Sequence, residues 1–310
     1  MLDRDEAFHH EAFFYASDDQ YAARTAAFVQ QGLELDEPVM VAVPRHQLEL
    51  LRKELGRVPT DLVRMEAMED LGRNPAWIIP AWQDFAQGHV AEGKRARGIG
   101  EPIWATRTDD ELIECGRHEA LINIAFEKAV GFALLCPYDL TSLSPEILRE
   151  SRHNHPIVST VRGSAPSADY RNGVPKWLDS ALPPIPNAAE SLEFGLGSLR
   201  TIRELASTHA TAAGLSELRV SDVLVAVSEA VTNSLRHGGG SGSISFWQSG
   251  DRFICEVRDR GIIDDPLAGR VMPSREDTNG RGLWLINQLC DLVQVRVRDG
   301  VQQVRMQLVV

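Results

Sequence analysis

Glu229, Asn233 and His237 recur every four residues in the stretch Ser228-Glu-Ala-Val-Thr-Asn-Ser-Leu-Arg-His-Gly238. On a helix that spacing lays a carboxylate, an amide and an imidazole along one polar stripe. Val223, Val227 and Val231 keep the same interval on roughly the opposite side, with Leu224 and Leu235 nearby. A carboxylate and an amide so spaced can handle a metal-bound nucleotide if a second element binds the phosphates; alone, the stripe is a solvated face. Two further elements follow in order. Arg258-Asp259-Arg260-Gly261 comes directly after an apolar strand pattern. A carboxylate at a strand end can accept a hydrogen bond from an exocyclic amine, and Gly261 leaves room for a planar base. Asn279-Gly280-Arg281-Gly282-Leu283 then opens a helical segment at 283–290. Glycines at a helix start expose backbone N–H groups, where the helix dipole favours an anion. Arg281, between the two glycines, is placed to contact a phosphate. His237 is read as a helix-ending residue, and Asp264-Asp265 as a solvated loop.

The elements that must position these groups are legible in outline. The chain of 310 residues is long enough for two cores. Before about residue 161, continuous apolar runs alternate with helical patterns: strands at 12–15, 38–43, 62–65, 102–105 and 131–136, helices at 18–35, 45–55, 76–92 and 109–126. That alternation predicts a parallel sheet covered on both faces. Gly163-Ser-Ala-Pro-Ser-Ala168 and Ala181-Leu-Pro-Pro-Ile-Pro186 read as turn-forming, Pro-rich interdomain linker. Beyond it come a strand at 191–194, helices at 198–213 and 216–237, and strands at 243–247 and 252–257. A last pair at 292–298 and 301–308 is joined by Asp299-Gly300, a strong hairpin signal. Helices with antiparallel hairpins predict a two-layer α/β sandwich.

The formal charge of -12 argues against a nucleic-acid-binding surface. Cys115, Cys136, Cys255 and Cys290 have no C-x-x-C spacing and read as buried free thiols. With no signal-peptide pattern and no membrane-length apolar run, the expectation is a cytoplasmic protein without a membrane partner.

The ordered trio resembles the N, G1 and G2 boxes of the GHKL (Bergerat) ATPase family, with a histidine-kinase-like ATPase fold, over residues 188–310. More narrowly, Ser228 to Gly238 is similar to the N box of bacterial anti-sigma factor/serine-protein kinases. The resemblance implies ATP and Mg²⁺ as cofactors. It implies that Asn233 ligates the Mg²⁺ and that Glu229 orients or deprotonates the incoming nucleophile. Asp259 would bind the adenine amino group, with Gly261 lining the base pocket and Gly280 and Gly282 shaping the phosphate end. The family's G1 box often carries a second glycine where this chain has Ile263. Implied partners are a STAS-type anti-sigma antagonist phosphorylated on serine or threonine, a sigma factor, and a second copy of the chain as a homodimer. The alternatives are a non-catalytic ATP-binding module that sequesters a partner, and an atypical histidine kinase. The latter lacks room for a phosphoacceptor hairpin between His153-Asn-His155-Pro156 and the ATPase region.

His9-His10-Glu11-Ala12-Phe13-Phe14-Tyr15, the 38–43 strand and Gly100-Glu-Pro-Ile-Trp104 resemble the MEDS sensory domain, over residues 8–157. That resemblance implies a RecA-like α/β/α fold that senses an unknown small molecule, with His10, ahead of the first strand, as a ligand contact. A solvated or capping histidine is the alternative. No G-x-x-x-x-G-K-[ST] loop is present. Trp77, Trp82 and Trp104 read as packing, with a pocket lining as the alternative, and Glu101, Arg107, Glu114 and Glu119 read as a polar cluster or, for most of them, as exposed helix charges. His153 and His155 read as helix-end or loop residues, or as a spaced metal pair. The expected organisation is thus a sensory domain at 8–157, a linker at 158–187 and an ATPase domain at 188–310.

Overall fold

A computed structural model describes residues 8–90, 93–173, 181–273 and 280–310, and the chain divides into two compact units, Met1–Leu178 and Asp179–Val310. In the first unit β1 (His9–Tyr15) leads into α1 (Asp18–Glu34), whose start is fixed by the Ser17 hydroxyl accepting from the Gln20 N–H. Then follow β2 (Val39–Val43), α2 (Arg45–Leu55), β3 (Val63–Ala67), the short α3 (Met68–Leu71), a 3₁₀ turn at Pro75–Trp77 and α4 (Ile78–Val90). β4 (Ala96–Gly100) precedes α5 (Asp109–Ala125), which begins on a reciprocal capping box between Thr108 and Glu111. β5 (Phe132–Asp139), α6 (Pro145–Asn154), β6 (Ile157–Thr160) and β7 (Gly163–Pro166) complete the unit.

The strand order is β3-β2-β4-β5-β1-β6-β7, parallel throughout except for β7, which runs antiparallel to β6. One face buries Phe13, Val41, Ile99 and Leu135 against Tyr21 and Val29 of α1 and Leu48 and Leu51 of α2. Across the sheet, Trp82 of α4 lies on the backbone of β4. A Cβ on Gly98 would come 2.9 Å from its ring and 2.7 Å from Leu134. The sheet is therefore covered on both faces, as the α/β/α reading requires.

Three strand assignments change, and α6 and β6 stand where no element was expected. The apolar run at 102–105 is not a strand; β4 lies just ahead of it, built on Gly98 and Gly100 so that Trp82 can approach. The turn-like Gly163–Pro166 pairs with β6, and all four of its residues are exposed. Glu101, Arg107, Glu114 and Glu119 are not exposed charges: all four are buried. Trp82 is buried and packs, as expected.

The second unit runs β8 (Glu190–Phe194), α7 (Leu199–Ala212), α8 (Glu217–His237), β9 (Gly242–Ser249), β10 (Arg252–Asp259), α9 (Arg281–Leu289), β11 (Leu292–Arg298) and β12 (Val301–Val309). Its sheet, ordered β11-β12-β10-β9-β8, is antiparallel, with Asp299 and Gly300 both at positive φ in the last hairpin. Ile202 and Ala206 of α7, Val223, Val227 and Val231 of α8 and Ile286 of α9 bury one sheet face with Phe253, Val257, Val293 and Met306. On the other face Arg305 donates to Glu256, directly opposite in register, at 2.6 Å, and to the Pro183 carbonyl at 2.6 Å. The result is a two-layer α/β sandwich. All four cysteines are buried and free. No helix among the described residues is long and apolar enough to cross a membrane.

Glu11 ties β1 to α1 and β6. Burial alone would raise its carboxyl. Hydrogen bonds from His9 at 3.0 Å and Ser159 at 2.5 Å, with Arg24 at 2.8 Å, outweigh that and hold it at about 2 against an ordinary 4.5. A folded-state value below the unfolded one means stability present above pH 4.5 and lost as pH falls towards 2. Glu11→Gln is expected to remove on the order of 3 kcal/mol at neutral pH and to flatten urea-unfolding stability across that window. An undiminished acid dependence in the variant would contradict this assignment.

Candidate functional site

The stripe identified in the sequence lies on α8, which starts at the Ser216 cap and buries Val223, Ala226, Val227, Ala230 and Val231. The opposite side carries Glu229 and Asn233, half-buried, and His237, exposed as the last helical residue. Among the described residues neither the Glu229 carboxylate nor the Asn233 amide has a hydrogen-bond partner, so both oxygens are available to a ligand.

Gly280 is the cap of α9 in a left-handed conformation, φ 87°, that a side chain would strain. Gly280 has no side chain with which to cap the helix, whose first-turn N–H groups lie beyond the reach of intrahelical partners. Gly282, in the first turn, lies against the stripe. A Cβ there would fall 2.7 Å from Asn233 Nδ2 and 3.0 Å from Glu229 Oε2. Residues separated by about fifty positions are thus brought into direct contact by the absence of one methyl group. Arg281 is exposed at the start of α9, while Asn279 lies outside the described residues.

Asp259 ends β10 with only 5% exposure. Its Oδ2 accepts from the Ser234 hydroxyl at 2.5 Å and Gln302 Nε2 at 3.4 Å, and its Oδ1 from the Gly261 N–H at 2.6 Å. Cβ atoms on Gly238 or Gly261 would come within 2.6 and 2.7 Å of Oδ1, so both glycines close over the carboxylate. Ser234 follows Asn233 on α8 and joins the two halves of the site. Ser234, Gly238 and Gln302 were not singled out from sequence. The first two lie inside the α8 motif; Gln302 is visible only once the β10–β12 register places it opposite Asp259. Ile263, where a second glycine was expected, packs against the core. Asp264 and Asp265 are exposed.

The donor set fits a magnesium-bound nucleotide. Carboxylate and amide oxygens suit a hard cation, a helix N-terminus suits phosphate, and a buried carboxylate suits an amine donor.

In the other unit, His10 lies within β1, not before it, and is 1% exposed. Burial, reinforced by the neighbouring His155, pushes its imidazole down to about 4. His153 pairs with Glu150 at 3.3 Å in the last turn of α6, whereas His155 is fully buried, so the two do not form a ligand pair.

Ser234→Ala would leave the buried Asp259 carboxylate short of a donor. It is expected to cost about 1–3 kcal/mol in urea unfolding. A change below about 0.5 kcal/mol would show that the bond does not organise the site.

Comparison with known proteins agrees with this division. Residues 9–156 match the family described as MEthanogen/methylotroph, DcmR Sensory domain (MEDS), and residues 192–308 match the histidine kinase-like ATPase domain. A search of curated proteins found no match. Among solved structures, the RsbU and RsbW domains of Rv1364c from Mycobacterium tuberculosis are similar at 18% identity, over 38% of this chain and 32% of that chain, with a TM-score of 0.29. This chain thus spans about a third of that chain's length. Residues 9–156 thus form a MEDS-type sensory domain and residues 192–308 a histidine kinase-like ATPase domain.

Proposed function

We propose that the protein is a cytoplasmic signalling regulator. A sensory domain at residues 8–157 is coupled through 158–187 to a magnesium-ATP-dependent serine/threonine protein kinase domain of the anti-sigma type at 188–310. Its substrate is a STAS-type antagonist, and the phosphorylation state of that antagonist decides whether a sigma factor is held or released. The chain acts as a homodimer.

The observation that carries the reading is the approach of Gly282, in the first turn of α9, to Glu229 and Asn233. Bound magnesium ATP supplies the phosphoryl group and neutralises its charge. The residues of this chain do the positioning, which dominates phosphoryl transfer. The Asn233 amide oxygen would hold the cation, and the first turn of α9 would receive the phosphates. Asp259, oriented by Ser234 and Gly261, accepts from the adenine amine. The partner's Ser or Thr hydroxyl oxygen forms the new bond to phosphorus, its proton passes to the Glu229 carboxylate, and ADP is the leaving group. His10 serves the sensing of an unknown small molecule from within the buried core of the sensory domain, not as an open contact.

A non-catalytic, partner-binding ATPase module is the second reading, favoured by the partly buried Ile263 packing against the core at a position where the family often has glycine. The histidine-kinase reading has less support. Among the described residues, α6 is followed by the short β6–β7 pair with no long helical hairpin before β8.

Labelled ATP, Mg²⁺ and purified STAS-type proteins separate these readings. Transfer of acid-stable, base-labile label to the partner is expected. Glu229→Ala should retain nucleotide binding and slow transfer by about 10²–10⁴-fold, as loss of a general base does. Asn233→Ala and Gly282→Ala should lose Mg²⁺-dependent ATP binding itself. Partner binding with no phosphoryl transfer under any condition would establish the non-catalytic module instead.

A further inference from the structure

His10 on β1, Glu119 on α5, Cys136 on β5 and His155 after α6 come from four separate elements and converge beneath one face of the N-terminal sheet. One donor atom from each lies within 4.8 Å of all the others, and no member is more than 1% exposed.

The surrounding hydrogen bonds determine which ring nitrogens carry protons. Asn123 donates its amide hydrogens to the Glu119 and Asn154 carbonyls, at 3.2 and 2.8 Å, so its oxygen is the atom that faces His10. That oxygen only accepts, so His10 Nδ1 must be the donor across their 3.0 Å contact. His155 Nδ1 likewise donates to the Ser151 carbonyl at 2.7 Å. In a neutral imidazole the other nitrogen is then a bare lone pair. Both Nε2 atoms face the same oxygen, Glu119 Oε2, at 3.4 and 3.3 Å. Neither Glu119 oxygen has a hydrogen-bond partner among the described residues.

A buried carboxylate facing two lone pairs calls for a cation between them. The two rings lie with centroids 4.0 Å apart, so both Nε2 atoms reach the same point beside the carboxylate. A single metal ion satisfies all of these groups. Cys136 Sγ, 3.4 Å from His10 Nε2, adds a fourth donor.

We infer that His10 Nε2, His155 Nε2, the Glu119 carboxylate and Cys136 Sγ form a closed four-donor site for one divalent transition-metal ion, for which Zn²⁺ is the best match. Two imidazoles, a carboxylate and a thiolate are ordinary zinc donors. Bonds of about 2.0–2.3 Å give tetrahedral donor separations near ~3.5 Å. Three contacts in the cluster are already on that scale, at 3.3–3.4 Å. The charges also balance: a dication with one carboxylate and one thiolate is neutral, as a buried group should be. Binding releases the Cys136 thiol proton to solvent. Asn123 and the Ser151 carbonyl act as outer groups that aim the two rings. With all four donors from protein, the site holds its ion and offers no open position to water. This inference is independent of the kinase reading, since it concerns only the sensory domain.

The test uses the untagged full-length chain. Mass spectrometry of protein from zinc-supplemented growth is expected to find about one zinc per chain. The chelator-stripped chain, titrated with Co²⁺, should show a thiolate-to-cobalt charge-transfer band and release protons. Cys136→Ser should lose that band, and His10→Gln and His155→Gln should lose stoichiometric metal. His153→Gln, outside the cluster, should keep it. Asn123→Ala should weaken binding about 10–100-fold. Where a variant fails to fold, the Co²⁺ titration of the unmodified chain decides. Absence of stoichiometric binding, a spectrum without a thiolate band, or binding indifferent to His10, Cys136 and His155 would each overturn the site.

Discussion

The second unit depends on one close approach: the backbone of Gly282 lies against the ends of the Glu229 and Asn233 side chains, which a Cβ there would push aside. That contact brings the N-terminus of α9 to the polar stripe of α8, so the positive end of a helix dipole adjoins two oxygen donors. It can form only because the opposite side of α8 is apolar. Val223, Val227 and Val231 are fully buried against the sheet and fix the rotation of the helix about its axis. Turning that helix by a fraction of a turn would bury the stripe and expose the valines, at about 1.5–3 kcal/mol for each large side chain brought into water. Packing therefore orients the chemistry. Ser234 extends the constraint to β10 through its bond to Asp259, so helix and strand are held in one relation.

The two units place polar groups to different ends. In the ATPase-family unit Glu229 and Asn233 are half-buried and lack partners among the described residues, which suits groups awaiting a ligand. In the MEDS-family unit the polar groups are sealed. His10, Glu119 and His155 lie within a parallel α/β/α framework whose strands are among the most buried in the chain. Burial of that kind is costly unless each group is paired. Tyr15 donating to Glu101 and the Arg107 bond to the Pro102 carbonyl are pairings of this sort. The His10 cluster is one of the places, among the described residues, where pairing within the protein is incomplete.

Both architectures were legible because they are written in periodicity. Four α-helix starts carry side-chain caps, at Ser17, Thr108, Ser144 and Ser216, and Asp299-Gly300 announces its hairpin. β4 escaped because its core is made of glycines: the apolar mass over that strand comes from Trp82, some fifteen residues earlier. β7 escaped because all its residues face solvent, which leaves no alternation to read. In the candidate site, the Glu229 and Asn233 spacing and the glycines of α9 were visible as local patterns. Gln302 was not, since its role depends on strand register. The His10 cluster was hidden for the same reason. Its four members are scattered from β1 to the end of α6, and only the stacking of α5 and α6 beneath β1 and β5 unites them.

The central claim is that the Glu229–Asn233–Gly282 contact is a magnesium-nucleotide site. A crystal structure of the full chain with Mg²⁺ and a non-hydrolysable ATP analogue tests it most directly. The account predicts the cation on the Asn233 amide oxygen, the phosphates over the first turn of α9 and the adenine amine on Asp259. A nucleotide bound elsewhere, with the α8 stripe left to solvent, would contradict it.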